Sequence, residues 1–267
     1  MNRNLDFIQL NNFANLHDGD KVWFCKTDFL QEDFGQISLL DHDVILITGN
    51  SDYPITDHIL DLAPKNITKW FCQNAVSKNP IIEPIPIGIE NRDECIRNGH
   101  GVGWGNRVQE KMDCLNYMQP ESISEFIYCN FNIKTNTEHR NKVWNIASNC
   151  SHIVCESPTL SIKEWVSEVK KYKMNLCPAG NGVDTHRLWE TLYAGRIPIT
   201  VKIGDYKIYE MYEKLPIIII NDIDELRDKQ HMEDLYNITI GKTYQLSITS
   251  QSYWINRIKK AAQETET

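Results

Sequence analysis

The 267-residue chain lacks a surplus of positive charge: 28 Lys and Arg stand against 36 Asp and Glu, a formal charge of −8 with His neutral. Proteins that coat nucleic acid by neutralising phosphates need a basic face. The basic clusters here are short and interrupted by acids, which excludes a nucleic-acid partner and leaves room for a local site that takes a small anion. The amino terminus, MNRNLDFIQLNNF, has no apolar segment of the kind a secretory leader needs, and no stretch approaches about 18 uninterrupted apolar residues. A soluble, cytoplasmic chain with at most peripheral membrane association is therefore expected. The eight cysteines, at 25, 72, 95, 114, 129, 150, 155 and 177, form no C-x-x-C pair and no Cys/His metal spacing. Cys25, Cys72, Cys129 and Cys177 sit inside apolar, strand-like runs where a free thiol behaves as a small hydrophobe, so reduced structural thiols are expected. Low-complexity tracts and short-period repeats are also missing.

What is present is enough apolar material, 41% of residues, for one large domain or two small ones. Strand-like runs alternate with helix-sized gaps, the pattern of an α/β protein with parallel sheets. The first half offers KVWFCKTD (Lys21 to Asp28), DVILITGNSD (Asp43 to Asp52), TKWFCQN (Thr68 to Asn74) and PIPIGI (Pro84 to Ile89). Glu90 to Glu125 is polar and glycine-rich, with one short helix near Arg107 to Tyr117, and reads as a connection. The rhythm then restarts: strand EFIYCNF (Glu125 to Phe131), helix Glu138 to Ser148, helix Ser161 to Lys171, strand MNLCP (Met174 to Pro178), helix Thr185 to Ala194, strand IPITV (Ile197 to Val201), helix near Tyr206 to Glu213 and strand PIIII (Pro216 to Ile220), which leads into another helix. A last helix spans Ser252 to about Ala262. The expected organisation is a lobe over 1–120, a second lobe over 121–250, and a carboxyl-terminal helix over 251–267 that packs back on the first.

The stretch richest in chemistry is MNLCPAGNGVDTHRLWETLYAGRIPITV, Met174 to Val201. It reads strand, glycine loop, helix, glycine stop, strand. Gly180 and Gly182 flank Asn181, so the loop tolerates positive φ and close approach of a ligand. Asp184 or Thr185 can cap the next helix, and Gly195 stands where a helix would end. Amides at a helix N-terminus make an anion site. Arg187 supplies a cationic fork suited to phosphate, and Glu190 supplies paired acceptors suited to ribose hydroxyls. The same two residues also fit a surface i,i+3 pair worth a few tenths of a kcal/mol.

The pattern P-x-G-N-G-x-D-T-H-R-x-W-E-x-L-x-x-G-x-I-P-I in this stretch resembles the donor-site segment of exostosin-like glycosyltransferases, including the ribitol xylosyltransferase-like branch and its bacterial relatives. YCNFNIKTNTEHR (Tyr128 to Arg140) and KWFCQNAVSKNPIIEPIPIGIEN (Lys69 to Asn91) are similar to bacterial members of that group. The resemblance implies a GT-B fold, two Rossmann-like lobes facing a cleft, and transfer of a sugar with inversion from a nucleoside diphosphate sugar, UDP-linked first, to a glycan or lipid-linked acceptor in cell-surface polysaccharide synthesis. It implies no metal and no cofactor beyond the nucleotide-sugar co-substrate. Carried over by position, Gly180, Asn181, Gly182, Asp184, Thr185, His186, Arg187 and Glu190 would line the donor site. Asn132, Thr135, Asn136 and Arg140 would face the same diphosphate. At 267 residues the chain is short for this architecture, which implies trimmed accessory helices.

Inverting transfer needs a base for the acceptor hydroxyl. Asp52, Glu90 and Asp28 each follow a strand of the first lobe, and Asp52, in the turn GNSDYP beside Tyr53, ranks first, then Glu90. Asp41-His42-Asp43 mimics a metal-holding D-x-D but precedes its strand, the wrong end for a site on the carboxyl edge. Lys170, Lys171 and Lys173 read as a solvated helix end, and Trp70, Trp165 and Trp254 as core. An α1,3-fucosyltransferase-like GDP-sugar enzyme and a non-catalytic nucleotide or glycan-binding module are the competing readings. A nicotinamide dehydrogenase is disfavoured, because G-x-G-x-x-G with an acid about 20 residues on is absent from the first strand–helix unit.

Overall fold

The structure is a computed structural model that describes residues 3–95, 103–117 and 123–264. Its elements follow the apolar runs. The first half holds β1 (Val22–Lys26), α1 (Leu30–Ile37), β2 (Val44–Gly49), α2 (Asp57–Asp61), β3 (Ile67–Cys72), β4 (Ile82–Pro84) and α3 (Asn106–Asn116). Then come β5 (Glu125–Cys129), α4 (Thr137–Ala147), β6 (Ile153–Cys155), α5 (Ile162–Val169), β7 (Tyr172–Leu176) and α6 (His186–Tyr193). β8 (Ile197–Val201), α7 (Ile208–Tyr212), β9 (Ile218–Ile220), α8 (Lys229–Ile240) and α9 (Gln251–Glu264) complete the order, with short 3-10 turns between.

Two compact units result. One holds Asp6–Val108, Asp205–Met211 and Leu246–Thr267, and the other Met1–Leu5, Gln109–Gly204 and Tyr212–Gln245. Each is built on a parallel sheet, ordered β1-β2-β3-β4 in the first and β6-β5-β7-β8-β9 in the second. All six residues of β2 and all five of β8 are buried, as expected of strands covered on both faces. The α/β class with parallel sheets thus stands as read.

In the β1–β4 unit, Trp23, Phe34, Ile37, Leu46 and Trp70 form the core beneath α1. Trp70 is fully buried with its indole N–H donating to Thr48 Oγ1 at 2.9 Å, and Trp254 donates to the Ile248 carbonyl at 2.8 Å, which satisfies the polar edge of each ring. Helix α9 belongs to this unit: Arg257 forks onto Glu83 at 3.0 and 2.8 Å, and Asp6 Oδ2 accepts from the hydroxyls of Ser250 and Ser252. In the β5–β9 unit, Ile127, Val143, Met174, Leu176 and Ile199 are central.

Several local readings need correction. PIPIGI is not the fourth strand. The ladder takes Ile82–Pro84, pairing Trp70 with Ile82 and Cys72 with Pro84; Pro84 and Pro86 have no N–H to extend it, and Gly88 turns away at φ +64°. The short edge strand β6 carries no strong alternation of its own and was not anticipated. Lys170 is not solvated. It is buried, with its ammonium on the carbonyls of Cys114 (3.3 Å) and Tyr117 (2.7 Å) at the end of α3, where a cation complements the helix dipole. Helix α3 supplies Lys111 and the carbonyl of Cys114 to the β5–β9 unit. Part of the 90–125 connection, 96–102 and 118–122, lies outside the described residues. Asp41, His42 and Asp43 precede β2 at its amino end, and among the described residues no group of three or more His, Cys, Asp or Glu is placed to hold a metal. None of the eight cysteines, all among the described residues, is in a disulfide. Among the described residues no helix is long and apolar enough to cross a membrane.

Candidate functional site

The order β6-β5-β7-β8-β9 means that the chain leaves β5 for one side of the sheet and comes back on the other. Winding reverses between β5 and β7, and open α/β sheets bind ligands outside the carboxyl ends of the strands at such a point. The β1–β4 sheet adds its described strands in one direction and has no reversal. Asn132, Thr135, Asn136 and Arg140 follow β5, and Gly180 to Glu190 follow β7, so the two segments singled out in the sequence meet at the reversal.

Arg140 joins them. It is buried on α4, with Nε on the Ala179 carbonyl (2.9 Å), Nη2 on Pro178 O (3.1 Å), and Nη1 on Asn132 O (2.7 Å) and Thr135 Oγ1 (2.5 Å). Asn136 adds a bond from Nδ2 to Gly180 O (2.9 Å) while its Oδ1 caps α4 at the His139 amide. The expectation that Arg140 faces a diphosphate is therefore corrected: its fork is taken up by three carbonyls and one hydroxyl, and it fixes one loop against the other. Burial first, and the Arg187 charge second, hold its guanidinium down to about 10, still cationic at neutral pH. Asn132 spends its side-chain oxygen on the Lys134 amide.

Positive φ does not account for the two loop glycines. Neither Gly180 nor Gly182 has positive φ. Gly180 donates its amide to Gly182 O (3.0 Å), and a Cβ on Gly180 would stand 3.0 Å from Arg140 Nη2. The residue is small because the guanidinium packs on it. Gly195 does stop α6, at φ +72°, with the Gly195 amide on Leu192 O and the Arg196 amide on Thr191 O, the paired bonds of a Schellman end.

Asp184 does not cap α6. Its buried Oδ1 accepts from Trp189 Nε1 and from the Tyr212 hydroxyl, each at 2.7 Å, so it ties the loop to α6 and to Tyr212 within the β5–β9 unit. Thr185 is the N-cap residue, in extended backbone, yet its hydroxyl makes no capping bond and is buried without a partner. His186 opens the helix, partly exposed, and Asn181 is exposed on the loop.

One turn further, Arg187 remains 24% exposed at the side chain, with its guanidinium carbon 4.1 Å from the centre of the Trp165 ring and Nη1 3.5 Å from Asn130 Oδ1. Glu190 is buried. Its Oε1 pairs with Lys111 of α3, and its Oε2 lies 3.4 Å from Arg187 Nε. The carboxylate is held inside a cation–anion–cation cluster, which corrects the picture of a group turned out toward ribose. Lys111, Asn130 and Trp165 were not recognised as site residues. Asn130 stands directly after β5 and was open to recognition by that position, whereas nothing local marks Lys111, which is 79 residues from its partner.

In the β1–β4 unit, Asp28 follows β1 with its carboxylate 3.4 Å from Lys26 Nζ, Asp52 is exposed in the turn after β2, and Glu90 follows β4 with its carbonyl bonded by Gln9. A network not foreseen holds this edge: Asn50, at φ +55°, donates to Asn11 Oδ1 (2.6 Å) and accepts from Asn91 (2.9 Å).

No protein-family model matches the chain, and no curated protein matches it. Solved structures similar to it include alpha,alpha-trehalose 6-phosphate synthase from Burkholderia multivorans (7% identity, 96% of this chain and 73% of that chain, TM-score 0.49). Others are the UDP-forming alpha,alpha-trehalose-phosphate synthase from Burkholderia vietnamiensis (7%, 96% and 75%, TM-score 0.46) and the pneumococcal O-GlcNAc transferase GtfA in complex with UDP and GlcNAc (9%, 96% and 59%, TM-score 0.42). At TM-scores below 0.5 these likenesses carry no weight for the site, whose chemistry is set by the residues described above.

Proposed function

We propose that the chain is a glycosyltransferase of the GT-B kind whose β5–β9 unit holds the diphosphate of a nucleoside diphosphate sugar on the loops after β5 and β7. The observation that carries this reading is Arg187: a partly exposed guanidinium beside the N-terminus of α6, at the carboxyl-edge reversal of a parallel sheet. A helix terminus alone contributes about 0.3 to 2 kcal/mol to a bound anion, so the guanidinium and the terminus act together. Charge grows on the diphosphate as the glycosidic bond breaks, and fixed donors aimed at it favour that state. Thr185, His186, Asn181 and the loop amides contribute contacts, while Arg140, Asn136 and Asp184 hold the loop in shape. Transfer goes to a hydroxyl of a glycan or lipid-linked acceptor, with inversion and no metal; UDP is the first choice of nucleotide. Asp52, then Glu90, is the base.

A thermal-shift panel of ADP, CDP, GDP, UDP, dTDP and their sugars, followed by a sugar-release assay on whichever binds, tests the reading. A ligand present at 100 times its Kd stabilises by about 2.7 kcal/mol. Stabilisation by one nucleoside diphosphate family with release of its sugar is expected; indifference to the whole panel defeats the reading, and turnover of GDP-fucose alone would favour the fucosyltransferase-like alternative.

A further inference from the structure

We propose that Lys111 is a positioning residue for the anion site: by pairing with Glu190 it leaves the charge of Arg187 available to a bound diphosphate. This inference rests on the donor-site reading above.

Glu190 has two cationic neighbours and one negative charge. Lys111 and Glu190 are both buried, and they are in direct hydrogen-bonded contact. Arg187 is the more exposed cation and sits at 3.4 Å from the other carboxylate oxygen. Counting formal charges, the three groups sum to +1. Without Lys111 they sum to zero, and the buried carboxylate turns wholly to Arg187. An Arg committed to an internal carboxylate offers little net field to an incoming anion, because opposite charges a few ångströms apart cancel at longer range. The carboxylate end of this cluster is buried with Lys111, where water and salt screen its charge least. Arg140 senses the same field: the Arg187 charge is among the causes that lower its guanidinium. Trp165 covers one face of Arg187 at 4.1 Å, which restricts the positions open to the guanidinium. Lys111 thus acts through Glu190 on Arg187 and touches no ligand.

The test measures Kd by calorimetry for the tightest nucleoside diphosphate of the panel and for inorganic pyrophosphate, with wild type, Lys111→Met, Glu190→Gln and the double variant. Lys111→Met is expected to weaken both probes at least tenfold. Glu190→Gln, which frees Arg187 of its carboxylate, is expected to bind both at least as tightly as wild type, and the double variant to return within threefold of wild type. A merely structural pair predicts instead that Glu190→Gln weakens binding and that the double variant does not recover. If Lys111→Met fails to fold, Glu190→Gln decides: a tenfold loss overturns the proposal. Wild type that binds no diphosphate defeats the donor-site reading itself, whereas wild type that binds while Lys111→Met stays within twofold defeats only the role of Lys111.

Discussion

The guanidinium of Arg187 lies over the indole of Trp165, 4.1 Å from the ring centre. An exposed Arg on a helix would sample many rotamers, and this one is confined by the ring, by Glu190 at 3.4 Å and by Asn130. Confinement before binding lowers the ordering cost of capturing an anion. Arg187→Ala should weaken the diphosphate about 10- to 150-fold, the equivalent of a charged hydrogen-bonding group. Arg187→Lys keeps the charge but loses the fork and the stack, so about tenfold weakening is expected. Calorimetric Kd values for both variants check this.

Arg140 is predicted to matter for stability before affinity. Arg140→Met removes four bonds to two loops and leaves buried carbonyls of Pro178 and Ala179 without donors, at a cost of about 3 kcal/mol read by urea unfolding. Gly180→Ala forces the same guanidinium to move, since the new Cβ would sit 3.0 Å from Nη2; overpacking of this kind costs about 1 to 3 kcal/mol.

Asp184 separates a binding role from a structural one. Asp184→Ala strands the Trp189 and Tyr212 donors in the core and should lower stability by about 2 to 4 kcal/mol. Asp184→Asn keeps one acceptor oxygen and should cost less. The measurement is unfolding midpoint beside Kd: loss confined to the midpoint supports the tie between loop and helices, and a Kd change in Asp184→Asn at unchanged stability would speak for direct contact with ligand.

His139 gives a pH signature. Burial first, then the charges of Arg140 and Lys142, lower its imidazole from the ordinary 6.5, and its Nε2 is buried without a partner. Between 6.5 and the lowered folded value the unfolded chain binds more protons than the folded one, so stability rises with pH. On acidification the contribution is complete above about 6.5 and declines below it. Wild type should lose more stability than His139→Gln between pH 7.5 and pH 5.5, measured by urea unfolding at each pH.

The strands were legible because burial on both faces demands continuous apolar runs, as VILITG and IPITV show, and the α6 end was legible because Gly195 needs a left-handed backbone. The run after Pro84 misled, since it is apolar like a strand while Pro86 has no N–H to carry the ladder on. The segment Gly180 to Glu190 announced itself by residue type, yet the division of labour within it did not. Whether Arg140, Asp184 or Glu190 points outward or is consumed inside depends on partners such as Tyr212 and Lys111, whose distance along the chain leaves no local trace.

The measurement that bears most directly on the central claim is amide hydrogen exchange of the full chain with and without the tightest nucleoside diphosphate. Binding at the reversal between β5 and β7 predicts added protection over residues 130–140 and 178–190, abolished in Arg187→Ala. Saturating ligand with no change in those two segments, or protection confined to the loops after β1 to β4, would contradict it.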